Sequence, residues 1–527
     1  MSLPLLARAP QDDGTFVHVA APSRADRPIN RDPSARVPNL CGLNAYDRMP
    51  DREPGPGEQY RFHVDMDACI GCKCCVVACN EQNGNPAEIN WRRVAEVEVG
   101  VFPATTRGYL SMGCNHCVDP TCLAGCPVDA YSKDAATGIV RHSAETCIGC
   151  QYCTWTCSYG VPQFNVERRV VGKCDMCYGR LSAGQAPACV SACPEGAIAI
   201  EIVNVAEWRR AAAGAKAGAG MPQGDGSLST TRVTASRDLP EGAQPNDLEI
   251  FRPQEAHGPL VVMLTLTQLA VGAFATIAAV ALSGLAASLF LPAFVALNVT
   301  GLALAASTTH LGRPIHAYRA MRMWKRSWLS REVVLFGAFA KAAAGTTALL
   351  WFESPYAGWA AGVTALVGAA GILASARIYH VVSRPSWNTL RTEAEFFGTA
   401  FVLGPLFAAA SGFPPPAVWP ALAAAARSLL FVVAAVSDAS REHHEVVELR
   451  GAYKLGRTSC RSLTDIRLAA CATSLLLLPA AGSSPWVAGV ALVLATAGEL
   501  LGRYLFFVTA VPRHMTAAYT LAEREAA

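Results

Sequence analysis

Sixteen of the twenty cysteines in this 527-residue chain fall between Cys69 and Cys193, in four successive runs with the spacing of iron-sulfur ligands. Cys69, Cys72, Cys75 and Cys79 read C-x2-C-x2-C-x3-C, and Cys147, Cys150, Cys153 and Cys157 repeat it. The second run, Cys114, Cys117, Cys122 and Cys126 before Pro127, and the fourth, Cys174, Cys177, Cys189 and Cys193 before Pro194, are looser variants. A cubane cluster takes four thiolates. Three on one tight turn reach three irons and the fourth arrives from another run, so runs work in pairs and clusters lie within hopping distance. Four runs predict four clusters, with electron transfer as their chemistry. Structural zinc also uses C-x-x-C pairs, but two such pairs suffice for it and leave no role for a third Cys two residues on or a fourth followed by Pro. Disulfides fit less well still, because vicinal Cys74 and Cys75 and crowded thiols would scramble in an oxidising compartment.

Composition divides at about residue 255. The chain is 52% hydrophobic and 16% charged, too apolar for a soluble protein and too long for one domain. Before that point it is polar and Cys-rich; beyond Gly258 it becomes Ala, Leu and Val runs between short loops. A soluble domain fused to a membrane domain is expected. Residues 1–58, rich in Pro, Arg, Asp and Gly without hydrophobic periodicity, read as an extended tail with a lone Cys41. Residues 59–205 hold the cysteine runs. Residues 206–255 read as a flexible linker, which as a coil of about 40 residues would span on the order of 35 Å. Residues 256–515 form the membrane anchor and 516–527 a C-terminal tail. No charged n-region, apolar stretch and cleavage site open the chain, and no Arg-Arg pair stands near its start, so no export signal is expected.

From Pro259 on, eight apolar runs match the roughly 17 to 25 residues a hydrocarbon core requires. They cover 259–283, 287–309, 332–352, 358–380, 395–411, 416–437, 467–481 and 485–510, the seventh being short. With eight spans, both ends and the connections after spans two, four and six share a side. Those connections carry Arg313 to Arg331, Arg384, Arg391 and the basic residues from Arg441 to Arg461; the opposite loops carry essentially none. By the positive-inside rule the cysteine domain faces the cytoplasm, with the helices in the inner membrane. A competing cause is that this face is basic because it docks the cysteine domain and a partner.

The segment M-G-C-N-H-C-V-D-P-T-C-L-A-G-C-P ending at Pro127 and the segment C-I-G-C-Q-Y-C-T-W-T-C-S-Y-G-V-P-Q-F-N from Cys147 resemble the four-cluster electron-transfer subunit of dimethyl sulfoxide reductase-type molybdoenzymes. The membrane half resembles that family's anchor subunit in H-L-G-R-P-I-H-A-Y-R-A from His310, W-L-S-R-E from Trp328 and A-G-E-L-L-G-R from Ala497. The resemblance implies an α+β ferredoxin-like four-cluster domain followed by an eight-helix transmembrane bundle. It also implies the ligand sets: Cys69, Cys72 and Cys75 completed by Cys193; Cys174, Cys177 and Cys189 by Cys79; Cys114, Cys117 and Cys122 by Cys157; Cys147, Cys150 and Cys153 by Cys126. No ligand position is replaced by Trp or Asp, so four [4Fe-4S] centres are expected. Two features depart from the family's usual plan: the subunits are fused here, and the charge pattern faces the cytoplasm. A related membrane-bound sulfite dehydrogenase has the same subunit plan and fits that orientation.

At the membrane end, no evident pair of histidines on two spans would hold a haem, so quinone is the expected partner. His310, at the cluster-side end of span two, is the first candidate to handle its protons; the bland alternative is an interfacial His before a basic loop. Ionisable groups inside spans are costly and therefore candidates too: Arg377 and Tyr379, which could instead snorkel, and Glu499 and Arg503, which at i, i+4 could simply pair. Lys341 and Arg427 lie deeper. The ordered soluble part is filled by cluster ligands, which leaves no room for a molybdopterin domain, so a separate catalytic subunit is expected. The chain would relay electrons between that subunit and the quinone pool. Two other classes are the redox arm of a hydrogenase-type or proton-pumping quinone complex, and a transporter with a redox regulatory domain. The transporter lacks the usual pair of Gly/Pro-broken spans at the membrane centre.

Overall fold

The computed structural model describes residues 8–10, 16–18, 48–101, 104–214, 226–235, 244–284, 288–412, 418–442, 444–481, 484–516 and 519. Most of the tail expected over 1–58, including Cys41, and of the tail over 516–527 lies outside them. A short ribbon pairs β1 (Arg8–Pro10) with β2 (Phe16–His18).

The soluble half is built around two small sheets. In β3 (Glu58–Asp65), Phe62 and Val64 alternate onto the buried face opposite Ile198 and Ile200 of the antiparallel β10 (Ile198–Asn204), the period-two pattern of a half-buried strand. The hairpin β4 (Arg93–Val101) and β5 (Ala104–Met112) forms the second. Two ribbons, β6 (Tyr131–Lys133) with β7 (Val140–His142) and β8 (Gln163–Asn165) with β9 (Val170–Gly172), complete the framework. Short helices start within or directly after the cysteine runs: α1 (Cys74–Asn83), α2 (Thr121–Gly125), α3 (Tyr152–Thr156), α4 (Tyr178–Leu181) and α5 (Ala188–Ser191).

The expected flexible linker is, over its described residues, part of this domain. After α6 (Val205–Gly214), β11 (Arg232–Thr234) adds to β3 in parallel and β12 (Gln244–Pro245) adds to β4. Trp208 of α6 is buried and donates its indole N–H to the Ser229 carbonyl at 2.8 Å. Thr230 and Thr231 donate to the Asn115 carbonyl and Asn115 Oδ1 at 2.8 and 2.6 Å. A Ser/Thr run that reads as coil thus supplies the hydroxyls that satisfy the loop of the second cysteine run. The far end of the chain returns here too: Tyr519 is buried, its hydroxyl 2.7 Å from Ser229 Oγ.

In the membrane half, seven helices are long and apolar enough to cross a bilayer among the described residues: α7 (Gly258–Leu282), α8 (Phe290–Thr309), α9 (Trp328–Trp351), α10 (Ala357–Ile378), α11 (Leu390–Ala410), α14 (Arg461–Ala481) and α15 (Pro485–Val508). A further long helix, α12 (Val418–Glu442), occupies the place of the expected span 416–437, and a short one, α13 (Val447–Arg457), precedes α14. α11 and α14 begin several residues before the expected 395 and 467, because their first turns carry charged residues that a search for apolar runs passes over. α7 is the central helix. Small residues let its neighbours approach: a Cβ on Gly404 of α11 would collide with the backbone at Gly272 of α7, and one on Gly368 of α10 would meet Val271 of α7 at 2.5 Å.

The start of α7 and the end of α15 lie at the same end of the bundle, where Gln254 N donates to Val508 O at 2.8 Å. The soluble domain docks on this end through the connection after α8. Gly312 N donates to Gly149 O at 3.3 Å and Arg313 N to Ile148 O at 3.0 Å. Gly149 has φ +70° and a Cβ there would lie 2.9 Å from Gly312, while a Cβ on Gly312 would run into the Arg169 carbonyl, so both glycines are needed for this approach. Arg313 also reaches the Ala144 carbonyl at 2.7 Å and Arg326 pairs with Asp129 at 2.6 Å. Part of the basic face is therefore a docking surface, as the competing explanation of its charge required.

Candidate functional site

The sixteen cysteines gather into four groups. Cys69 has the thiols of Cys72, Cys75 and Cys193 as electrostatic neighbours; Cys79 has Cys174, Cys177 and Cys189; Cys122 has Cys114, Cys117 and Cys157; and Cys153 has Cys126, Cys147 and Cys150. The groups follow one another in that order, since Cys75 neighbours Cys189 and Cys174 neighbours Cys114, while Tyr131 stands between Cys122 and Cys153. The first and last groups each line a small hollow. Local backbone explains the grouping. In the first C-x-x-C turn of each run the residue before the second Cys is left-handed: Gly71, His116, Gly149 and Met176. This conformation costs His and Met about 1–2 kcal/mol. His116 recovers a contact through its Nδ1, which accepts from Val140 N at 3.0 Å.

The donor set fits iron-sulfur clusters. Burial, joined by repulsion from neighbouring thiols, pushes the Cys177 thiol up to about 12, and Cys79, Cys122 and Cys153 are also raised. Thiolates so placed require a cationic core among them. Among the described residues no three His, Cys, Asp or Glu side chains converge as one metal ion would need, in keeping with ligands that each bind a different iron. Backbone N–H groups of Ala130, Gly149 and Met176 point at Cys126, Cys147 and Cys174 sulfurs at 3.3, 3.4 and 3.4 Å. Two buried cations lie between groups. Arg92 neighbours Cys75 and Cys189, and Lys173 neighbours Cys114, Cys122 and Cys174. Lys173 Nζ is 3.7 Å from Cys114 Sγ and donates to the Cys174 carbonyl at 2.8 Å.

The last group borders the membrane. Cys150 is part of the wall of an apolar cavity of about 300 Å3 between the 148–155 loop and the cluster-side ends of α7, α8, α9 and α10. The main polar groups in its wall are His310, Glu332, Tyr379 and Tyr152. His310 Nε2 lies 3.2 Å from the Cys150 carbonyl, to which it donates in the tautomer that makes this bond. Burial lowers the His310 imidazole below its ordinary range, opposed by that carbonyl. α3 drives Trp155 into the membrane core, with ring centroids 5.0 Å from His257, 5.9 Å from Tyr379 and 6.5 Å from His310. His257 stands 5.2 Å from His310 and is lowered to about 3 by burial first and then by His310 and Arg384. Its Nδ1 is buried without a hydrogen bond.

Of the candidate quinone residues, His310 and Tyr379 meet in this cavity; Arg377, Glu499 and Arg503 do not line it. Arg377 is half-exposed and lies 3.8 Å from Glu393. Glu499 and Arg503 do not pair with each other, because each has a partner on another helix. Glu499 binds Arg427 of α12 and accepts from Thr399 at 2.6 Å. Arg503 donates to Gln268 Oε1 and Thr399 Oγ1, both at 3.0 Å, and lies 3.6 Å from Glu395.

Residues 105–202 match the family model of the 4Fe-4S dicluster domain, and 255–508 that of the DMSO reductase anchor subunit (DmsC). An anaerobic dimethyl sulfoxide reductase polypeptide of Haemophilus influenzae is 41% identical over 146 residues, which is 26% of this chain and 71% of the relative. This protein belongs to the family of that dimethyl sulfoxide reductase polypeptide. Also similar are the iron-sulfur subunit of the nitrate-inducible formate dehydrogenase of Escherichia coli, 38% identical over 205 residues (34% of this chain, 69% of the relative), and a sulfite dehydrogenase subunit of Allochromatium vinosum, 33% identical over 160 residues (26% and 67%). This member of the dimethyl sulfoxide reductase family carries the iron-sulfur domain and the anchor domain in one polypeptide.

In this fused member of the family, sequence reasoning missed Glu332, His257, Arg92 and Lys173. Glu332 sits inside the W-L-S-R-E stretch and reads as an ordinary acid at a span end. His257 reads as the last residue of a linker. Lys173 directly precedes Cys174, and Arg92 belongs to an Arg-Arg pair; both were legible only as surface charge.

Proposed function

We propose that the chain relays electrons, one at a time, through four [4Fe-4S] clusters between a quinone in the cavity beside His310 and a separate molybdopterin catalytic subunit. The observation that carries this is Cys150, which belongs to the fourth thiol group and also forms the cavity wall. When bound, the clusters supply one-electron redox chemistry, and the sixteen cysteines named above would hold them. This chain's residues handle the remainder of a quinol's oxidation, which releases two electrons and two protons. An apolar wall admits the quinone ring and excludes water. With its Nε2 committed to Cys150, His310 offers Nδ1 as an acceptor for a quinol hydroxyl. The Glu332 carboxylate is the second proton acceptor on the wall, and the Tyr379 hydroxyl orients a quinone oxygen. Arg92 and Lys173 offset the negative charge of thiolate-bound clusters along the path.

The first thiol group is the end that meets the catalytic subunit: Cys72 is exposed there and Ile70 and Val77 lie open beside it. The reading of eight spans with the soluble domain on the cytoplasmic side is supported by the basic connections and by the shared end of α7 and α15, which fits an even number of spans. That orientation favours sulfite or a sulfoxide reached from the cytoplasm as the partner's substrate. The soluble unit covers 59–255 rather than 59–205, followed by the anchor over 256–515. The test is purification of the complex with its partner: molybdenum should co-purify, and turnover of a quinone analogue with sulfite, or of a quinol analogue with a sulfoxide, should name the substrate. A preparation that holds all its clusters yet carries no molybdenum and couples neither substrate to quinone would refute the assignment.

A further inference from the structure

A second cavity lies at the cluster-side end of α11, α12, α13, α14 and α15, apart from the quinone cavity. It holds about 110 Å3, and charged groups dominate its wall: Arg391, Arg441, Arg457, Arg467, Glu395 and Asp438. Four guanidinium groups face two carboxylates, and the carboxylates are already engaged. Arg391 donates to Glu395 at 2.7 Å and to Asp438 at 2.8 Å. Arg503 approaches Glu395 from the membrane interior. Arg441 lies 3.9 Å from Asp438 and donates to the Ser386 carbonyl at 3.3 Å. Among the described residues neither Arg457 nor Arg467 lies within 4 Å of a carboxylate; Arg467 has Glu395 and Glu499 as more distant electrostatic neighbours, both already held by other arginines, and Arg457 lies over the Tyr453 ring, 5.5 Å from its centroid. The chain makes room for this excess charge. A Cβ on Gly502 would lie 2.9 Å from the Arg467 guanidinium, so a glycine is what lets Arg467 turn inward.

The position of the cavity identifies its ligand. Arg391 and Glu395 belong to the first two turns of α11, Arg467 to the second turn of α14, and Asp438 and Arg441 to the end of α12. α13 crosses this end with Val447, Gly451, Ala452 and Leu455 buried and Lys454 and Arg457 exposed. A basic amphipathic helix beside a guanidinium-lined cavity at span ends sits at headgroup depth. Guanidinium groups bind phosphate oxygens through paired N–H donors. We propose that this cavity binds a phosphate-bearing anion, supplied by the headgroup of an anionic phospholipid with its acyl chains against the outer faces of α13 and α14.

The test uses the full chain in phosphatidylcholine nanodiscs, in discs that also contain phosphatidylglycerol, and in phosphatidylcholine discs with added inorganic phosphate. Phosphatidylglycerol should raise the melting temperature by several degrees and should stay bound in native mass spectrometry. The Arg457→Gln/Arg467→Gln double variant should lose both effects. Arg457→Gln alone, at an exposed residue, should weaken them while cluster signals and quinol turnover stay unchanged, which separates loss of the ligand from loss of the fold. An equal rise with inorganic phosphate would keep the anion site but overturn the lipid as its source. No response to either probe, or equal responses of wild type and both variants to phosphatidylglycerol, would overturn the site itself.

Discussion

Replacing His310 with alanine is expected to lower quinol-dependent turnover by about 100-fold or more, the usual scale for removing a positioned proton-transfer group, while the low-temperature EPR signals of the clusters persist. The expectation rests on His310's position. Its side chain faces the cavity, and its Nε2 bonds the carbonyl of Cys150 rather than a thiol, so its loss need not release a ligand. Glu332→Gln should slow turnover in the same way, because the carboxylate is buried in the same wall. Arg377→Gln should not, because Arg377 points away to Glu393. The three variants together distinguish a site in this cavity from a general loss of anchoring. Equal activities of the His310→Ala and wild-type proteins would remove His310 from the reaction.

The second large effect concerns stability. Arg427 and Glu499 are buried in the membrane half, bonded to each other and to Cys471 Sγ and Thr399 respectively. Removing one partner leaves the other's charge buried away from water without its bonded counter-charge. Glu499→Gln or Arg427→Met should therefore each cost about 3–5 kcal/mol, visible as a lowered melting temperature in detergent. The double variant Arg427→Met/Glu499→Leu should recover much of that loss, since an apolar pair avoids the desolvation of both ions. If either single variant melts like wild type, the pair is incidental to the fold.

Much of this was legible because the information was local. The cysteine runs are written in spacings of two and three residues, and membrane helices are written in contiguous apolar runs, so both could be read along the chain. What escaped depends on pairs distant in sequence. The Ser229 to Thr231 run reads as linker until Asn115 and Trp208 are found against it. Glu499 and Arg503 look like an i, i+4 pair until Arg427 and Glu395 arrive from other helices. Glu332 and His257 gain meaning only because α3 carries Trp155 and the Cys150 loop into the bundle. Nor could linear spacing give the order of the thiol groups, which follows from the juxtaposition of Cys75 with Cys189 and of Cys174 with Cys114.

The central claim is that one continuous redox path joins the cavity beside Cys150 to the exposed Cys72 end. Rapid mixing of the purified complex with a quinol analogue, followed by freeze-quench EPR, tests it most directly. Cluster reduction should begin at the centre held by Cys126, Cys147, Cys150 and Cys153, reach the others, and disappear in His310→Ala. Clusters that are all present and reducible by dithionite, yet remain oxidised with quinol and show no exchange with added quinone, would contradict it.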